Sequence, residues 1–163
     1  MRLLRHLFAP SSRRLFPEDS LPRITAAIAE GERRHRGEVM FAVESDLPLG
    51  AVLSGMQARE RAREVFARLR TWDTEANNGV LVYLLLADHR IEIVADRGLA
   101  GRVDDGQWRQ VCGLIEDGMR AGRAEQAVID GIAAVSGLLA AHYPQVDGQP
   151  DEDELPNRPQ LLD

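Results

Sequence analysis

The most constraining feature of the chain is an unbroken apolar run at residues 80–87, from Val80 to Ala87. A run of this length without alternating polar residues is typical of a strand that is buried on both faces of a sheet. A second apolar segment, Ile91–Ala95, follows a short polar turn, so the two segments are predicted to form an antiparallel hairpin. Polarity alternates at residues 91–93, which places the second strand nearer an edge.

Hydrophobic periodicity predicts further elements on both sides of the hairpin. In chain order they are a helix from Ser20 to about His35, a buried strand at Val39–Val43, a helix at Ala51–Arg70, and, after the hairpin, a helix capped by Asp104 or Asp105 and a helix at Ala124–His142. A helical crossover joins the first two strands, which makes them parallel. The predicted fold class is therefore α/β, a three-layer α-β-α sandwich with a small mixed sheet and helices on both faces.

Composition excludes several classes of protein. The net charge of −6 argues against a nucleic-acid binder, which would present a basic surface. All twenty basic residues are Arg, so Schiff-base chemistry on Lys and a Walker-type phosphate loop are excluded. Cys112 is the single cysteine and forms no internal disulfide. The sequence shows neither a signal-peptide core nor an apolar run near the length of a transmembrane segment, which predicts a cytoplasmic protein.

The chain divides into three parts: a basic leader (1–17), an α/β domain (18–144) and an acidic, Pro-rich tail (145–163). Basic and apolar residues mix in the leader, so residues 1–16 are predicted to make weak peripheral contact with an anionic membrane. The alternatives are that Leu3, Leu7 and Phe8 pack on the domain, or that the leader is disordered. The tail, with its acidic run at 151–154, is predicted to be extended, unless Leu161 and Leu162 dock on the domain.

Acidic residues fall at both edges of the predicted sheet. Glu44 and Asp46 should lie near Asp88, because the parallel strands end at that edge. The opposite edge collects the carboxylates of a predicted metal site for Ca²⁺ or Mg²⁺, namely Asp73, Asp96, Asp104 and Asp105, beside the amides Asn77 and Asn78. The alternative is that these turn residues accept hydrogen bonds from nearby backbone N–H groups and bind no metal.

The hairpin and its flanks resemble the TPM domain family. The matching residues are Asn-Gly-Val-Leu-Val at 78–82, Asp88, Arg-Ile-Glu-Ile at 90–93, Gly-Leu at 98–99 and Asp105. The resemblance extends over Leu21 to Tyr143 and implies an α/β sandwich. It also implies acid phosphatase activity and calcium binding, which have been associated with members of the family.

Two departures from the family pattern fall at the metal edge. Asp-Thr-Glu at 73–75 follows Trp72 where the family has a Gly-containing stretch, and Ala100 replaces a family Glu. We therefore expect a binding or accessory domain with an unidentified protein partner, and we expect its acidic loop edge to bind a divalent cation. The alternative is a divalent-metal-dependent acid phosphatase, in which the metal neutralises phosphate charge and activates water.

Overall fold

The computed structural model describes residues 1–148 and 152–163. Groups of helices flank the strands along the chain, and short 3₁₀ turns precede α3 and follow β3. The elements are α1 (Arg2–Leu7), α2 (Ser12–Leu15), α3 (Leu21–Glu32), β1 (Glu38–Glu44), α4 (Leu49–Leu53), α5 (Ala58–Arg68), β2 (Gly79–Leu85), β3 (Arg90–Ala95), α6 (Asp105–Arg120), α7 (Ala124–His142) and β4 (Gln160–Leu161).

The strands form one mixed sheet in the order β3-β2-β1-β4. β1 runs parallel to β2 and to β4, whereas β2 and β3 form the predicted antiparallel hairpin. Every residue of β2 is buried, and β3 is partly exposed at its edge. The prediction of a central apolar strand paired with an edge strand is confirmed.

Helices cover both faces of the sheet, which confirms the three-layer sandwich. Val39, Phe41 and Val43 of β1 face a core that includes residues of α3, α6 and α7. Met40 and Ala42 point to the opposite face, where they pack with residues of α4 and α5. This alternation along one strand is what a sheet with two buried faces requires.

Two predicted helices have different bounds. The helix expected at Ala51–Arg70 is divided into α4 and α5, because Gly55 adopts a positive φ of 81° that a continuing helix cannot accommodate. The helix expected to reach His35 ends at Glu32. Ser20 occupies the N-cap position of α3, but its hydroxyl donates to the carbonyl of Pro17 in the preceding 3₁₀ turn and makes no capping bond.

The described part of the acidic tail joins the sheet. Gln160 and Leu161 pair with Ala42 and Val43 of β1, and the backbone N–H of Leu162 donates to Val43. Docking of Leu161 and Leu162, the alternative to a wholly extended tail, is therefore what the structure shows. Part of the acidic run lies outside the described residues, because Asp151 is not among them.

The leader is folded rather than disordered. α1 and α2 are helical, and Phe16, which follows α2, is fully buried with its ring 5.6 Å from that of Phe41. Leu3 packs against the core, whereas Leu7 and Phe8 are 60% and 80% exposed. The prediction that apolar leader side chains pack on the domain is therefore confirmed for Leu3 and wrong for Leu7 and Phe8.

α7 is long and apolar enough, by length and composition, to cross a membrane. In this fold it packs against α3 and α6, and Val128, Ile132 and Val135 are fully buried in the core. A core helix of a folded domain has the same composition, so the pattern of α7 is accounted for by its packing.

Candidate functional site

The four carboxylates of the predicted metal edge lie in turns and helix starts, and three of them have partners there. Asp73 pairs with Arg70 at 2.8 Å. Asp96 Oδ1 accepts the backbone N–H of Arg97, and Asp104 Oδ1 accepts that of Gln107. Asp105, the first residue of α6, is exposed. These contacts correspond to the alternative interpretation, in which turn carboxylates satisfy backbone donors.

The glycines of the hairpin motif permit close backbone approach at the same edge. A Cβ on Gly79 would collide with the carbonyl oxygen of Thr71, and one on Gly98 would collide with the carbonyls of Ala76 and Asn77. The amide of Asn78 donates to the carbonyl of Arg36 at 3.1 Å. The Asn-Gly and Gly-Leu elements of the motif therefore serve packing and turn geometry.

The opposite edge of the sheet, where β1 and β2 end, holds a buried ion pair. Glu44 is 3% exposed and accepts two hydrogen bonds from Arg61, at 2.8 and 3.0 Å. Tyr83 donates its hydroxyl to the same carboxylate at 2.6 Å. Burial and the bond to Glu44 raise the pKa of Tyr83, so the phenol stays protonated and acts as a donor. Every oxygen of Glu44 is occupied by structural bonds.

Asp88 also lies at this edge and anchors the leader instead of facing an open site. Arg2 donates to both its carboxylate oxygens, the shortest contact being 2.8 Å, and His6 Nε2 lies 3.1 Å from Oδ1. Burial raises the pKa of Asp88, but the hydrogen bonds from Arg2 and His6 and the charge of Arg2 outweigh it, and the pKa is lowered. His6 Nδ1 accepts the backbone N–H of Leu47, so Nε2 carries the proton. This His–Asp pair therefore serves to hold α1.

A third group of acidic residues, which the sequence analysis missed, lies where β1 begins. Ligand atoms of Glu32, Glu38 and Asp153 all lie within 4.8 Å of one another, and no other group of this kind occurs among residues 1–148 and 152–163. Glu38 is 1% exposed and Glu32 is 7% exposed. Burial is the main cause that raises the pKa of Glu32 to about 7 and that of Glu38 to about 9.

The sequence carries only a partial signal for this group. Glu32 and Glu38 flank the turn between α3 and β1, and Asp153 belongs to the acidic run that was assigned to an extended tail. Nothing in helical or strand periodicity indicates that a residue more than a hundred positions away returns to this turn. The contact depends on docking of the tail.

The described surface also has an apolar cleft of about 490 Å³ beside the hairpin turn. Leu86, Ile91 and Met119 line it, with Arg90 and Glu116 at its wall. Cys112 packs against the neighbouring core, and burial raises the pKa of its thiol to about 11, so it is not a thiolate nucleophile at neutral pH.

Fold and polar edges together define an α/β sandwich domain whose mixed sheet ends in acidic turns. The TPM domain matches residues 12–138, and the chain belongs to that family. It is similar to the BA42 protein of the psychrophilic bacterium Bizionia argentinensis, with 28% identity over 88% of this chain and 92% of that chain and a TM-score of 0.76. No curated protein matches the chain.

A more distant likeness supports the same fold. The N-terminal domain of a protein from P. gingivalis has a TM-score of 0.62, with 16% identity over 83% of this chain and 85% of that domain. At this identity the likeness concerns the fold alone. The β4 strand lies beyond the part of the chain that the TPM domain matches.

Proposed function

We propose that this chain is a binding domain of the TPM family that attaches through α1 to an anionic membrane surface, and that it is not a phosphatase. The observation that supports this most is the orientation of α1. The helix buries His6, half-buries Arg2 and exposes Leu4 and Leu7, and Phe8, which follows the helix, is exposed as well. An isolated folded domain gains stability from the reverse arrangement, so exposed apolar side chains indicate a surface that is covered by something else.

Neighbouring residues suit an anionic lipid surface. α1 packs against α4, which exposes Leu49 and Leu53. Arg5, Arg13 and Arg14 are exposed on α1 and α2. Each basic residue near an anionic surface contributes on the order of 1 kcal/mol, and apolar side chains add insertion energy. The anchor at Asp88 fixes α1 in this orientation before it meets a membrane, which lowers the entropic cost of binding.

Co-flotation with anionic vesicles at low salt tests the membrane contact. A Leu4→Ser/Phe8→Ser double variant removes only exposed side chains, and we expect it to lose most of its vesicle-bound fraction. Leu114→Ser, which alters an exposed leucine of α6, is the matched control and should float like the wild type. Equal recovery of all three proteins would refute the contact. Truncation at Glu18 is a poor test, because it removes the buried Phe16.

The phosphatase alternative is disfavoured by the partners of the acidic side chains. Asp73 is held in an ion pair and Asp104 in a helix cap, and Ala100 stands where the family has a Glu. Asp96 caps a 3₁₀ turn through Oδ1, and only its Oδ2 is buried without a partner. We expect no hydrolysis of a phosphomonoester above background with Ca²⁺, Mg²⁺ or Mn²⁺. If the wild type hydrolyses the substrate and a folded Asp105→Ala variant does not, the result would support the phosphatase alternative and its metal site. A cytoplasmic location and an additional protein partner remain predictions.

A further inference from the structure

Glu32, Glu38 and Asp153 join three separate parts of the chain. Glu32 is the last residue of α3, Glu38 is the first residue of β1, and Asp153 lies in the C-terminal segment 152–163. Each offers one oxygen, and these oxygens lie within 4.8 Å of one another. Three carboxylates that share so small a volume repel one another unless a cation or protons balance their charge.

In Glu32 and Glu38, one carboxylate oxygen accepts a backbone hydrogen bond, and the second oxygen has no hydrogen-bond donor. Glu32 Oε1 accepts the backbone N–H of Val39 at 3.2 Å, and Glu38 Oε1 accepts that of Glu154 at 2.9 Å. Both Oε2 atoms are buried and have no hydrogen-bond partner. A buried carboxylate oxygen without a donor is costly, so Glu32 and Glu38, whose carboxyl groups interact with each other, need either a shared proton or a bound cation.

Asn157 adds a neutral oxygen beside the same group. The side chain of Asn157 lies near enough to Glu32 to lower the pKa of that carboxyl, and its Oδ1 atom is buried without a partner. An amide oxygen among carboxylates is a ligand set that suits hard divalent cations, and Ca²⁺ in particular accepts carboxylate and amide oxygens in irregular geometry. Asp153 is exposed, so water can reach the cluster and complete the coordination.

We propose that Glu32, Glu38, Asp153 and Asn157 bind a divalent cation of the Ca²⁺ type, which fastens the C-terminal segment to α3 and β1. The far end of that segment is held without a metal, because Asp163 accepts hydrogen bonds from Ser12 and Ser45. Between the two ends, Leu155 is buried in the core and β4 extends the sheet. The cation therefore stabilises the strand that completes the sheet, at a site separate from the Asp96–Asp105 edge.

Two measurements on the full chain, stripped of metal with a chelator, test the site: calorimetric titration and thermal denaturation, each with Ca²⁺ and, separately, with Mg²⁺. We expect millimolar Ca²⁺ to bind and to raise the midpoint of thermal denaturation, because a ligand that binds only the folded state stabilises it. Hydrogen exchange of the amides in 152–163 should slow at the same time, which reports on the segment itself. If neither Ca²⁺ nor Mg²⁺ raises the thermal midpoint or slows the exchange of these amides, the proposal is wrong, and the carboxyl groups are instead neutralised by shared protons.

Two variants locate the site. Glu38→Gln retains an oxygen for the N–H of Glu154 but removes the charge, and Asp153→Asn removes the charge of an exposed residue. Each should weaken Ca²⁺ binding by on the order of 10-fold or more. Asp105→Asn, at the other edge, is the control and should bind like the wild type. Unchanged binding in the first two variants, or loss in Asp105→Asn alone, would contradict the assignment.

Discussion

The hydroxyl of Tyr83 donates a hydrogen bond of 2.6 Å to Glu44, and both residues are buried beneath α5. Glu44 ends β1 and Tyr83 lies in β2, so the bond ties the two parallel strands at their carboxyl ends. Arg61 of α5 supplies the positive charge that the buried carboxylate requires. The acid that the sequence places at this edge is therefore part of the connection between sheet and helix.

The first prediction concerns removal of each partner of Glu44. Arg61→Ala should lower the free energy of unfolding by about 3–5 kcal/mol, because it leaves a buried carboxylate without its cation. Tyr83→Phe should cost only about 1–1.5 kcal/mol, since one hydrogen bond is lost and Arg61 remains. Urea denaturation measures both. Arg63→Ala, on the exposed face of the same helix, is the control, and an equal loss in this control would contradict the role of Glu44.

The second prediction concerns the anchor of α1. Asp88→Asn should lower stability by about 1–3 kcal/mol, because Arg2 loses its ionised partner. Exchange of the α1 amides should become faster, since the helix is short and depends on this contact. Asp46→Asn, a charge change in the neighbouring exposed loop position, should leave both quantities unchanged. Protection of α1 that survives Asp88→Asn would show that Leu3 packing alone holds the helix.

How much the sequence could predict depended on whether the signal was local. The apolar run at 80–87 and the alternation in 91–93 identified the hairpin. A strand buried on both faces has an unbroken apolar sequence, and a strand buried on one face alternates apolar and polar residues. The capping role of Asp104 was also local, since the residue precedes the helix that it caps. The division of Ala51–Arg70 was missed because Gly55 can occupy a helix, and only the observed φ shows that it does not.

The candidate sites were less accessible because they depend on contacts between distant residues. His6 meets Asp88 across 82 positions, and Glu154 meets Glu38 across 116. A basic leader and an acidic tail each have a composition typical of solvated segments, which conceals the few side chains that dock. The sequence predicted acids at both sheet edges, but the buried group at Glu32 and Glu38 required the fold.

The third prediction concerns the pH dependence of the metal-free protein. The pKa values of about 7 for Glu32 and about 9 for Glu38 exceed those of an unfolded Glu, so the folded state binds more protons between pH 4.5 and 9. Stability should therefore fall as pH rises through this window, by about 1.4 kcal/mol per pH unit for each full proton difference. Urea denaturation in a chelator measures the slope.

The pH range has to be chosen with His35 in mind. Burial lowers the pKa of this imidazole to about 4, so its contribution rises with pH from 4 to 6.5 and opposes that of the carboxyls. Above pH 6.5 the contribution of His35 no longer changes with pH, whereas that of Glu38 still does. Glu38→Gln should reduce the slope there and should be more stable than the wild type in chelator at pH 8. A slope that is the same in both proteins would refute the assignment of the titration to Glu38.

The last prediction compares two glycines of α7. A Cβ on Gly131 would collide with the side chain of Ile115 in α6, and Ile115 is fully buried. Gly137 lies on the exposed face of α7 and has no atom near the position of a Cβ. Gly131→Ala should therefore lower the free energy of unfolding by about 1–2 kcal/mol, because overpacking outweighs the gain in helix propensity. Gly137→Ala should raise it by about 0.5–1 kcal/mol, because only the gain in propensity remains. Thermal and urea denaturation measure the pair, and a stabilising Gly131→Ala would show that α6 and α7 pack less closely than described.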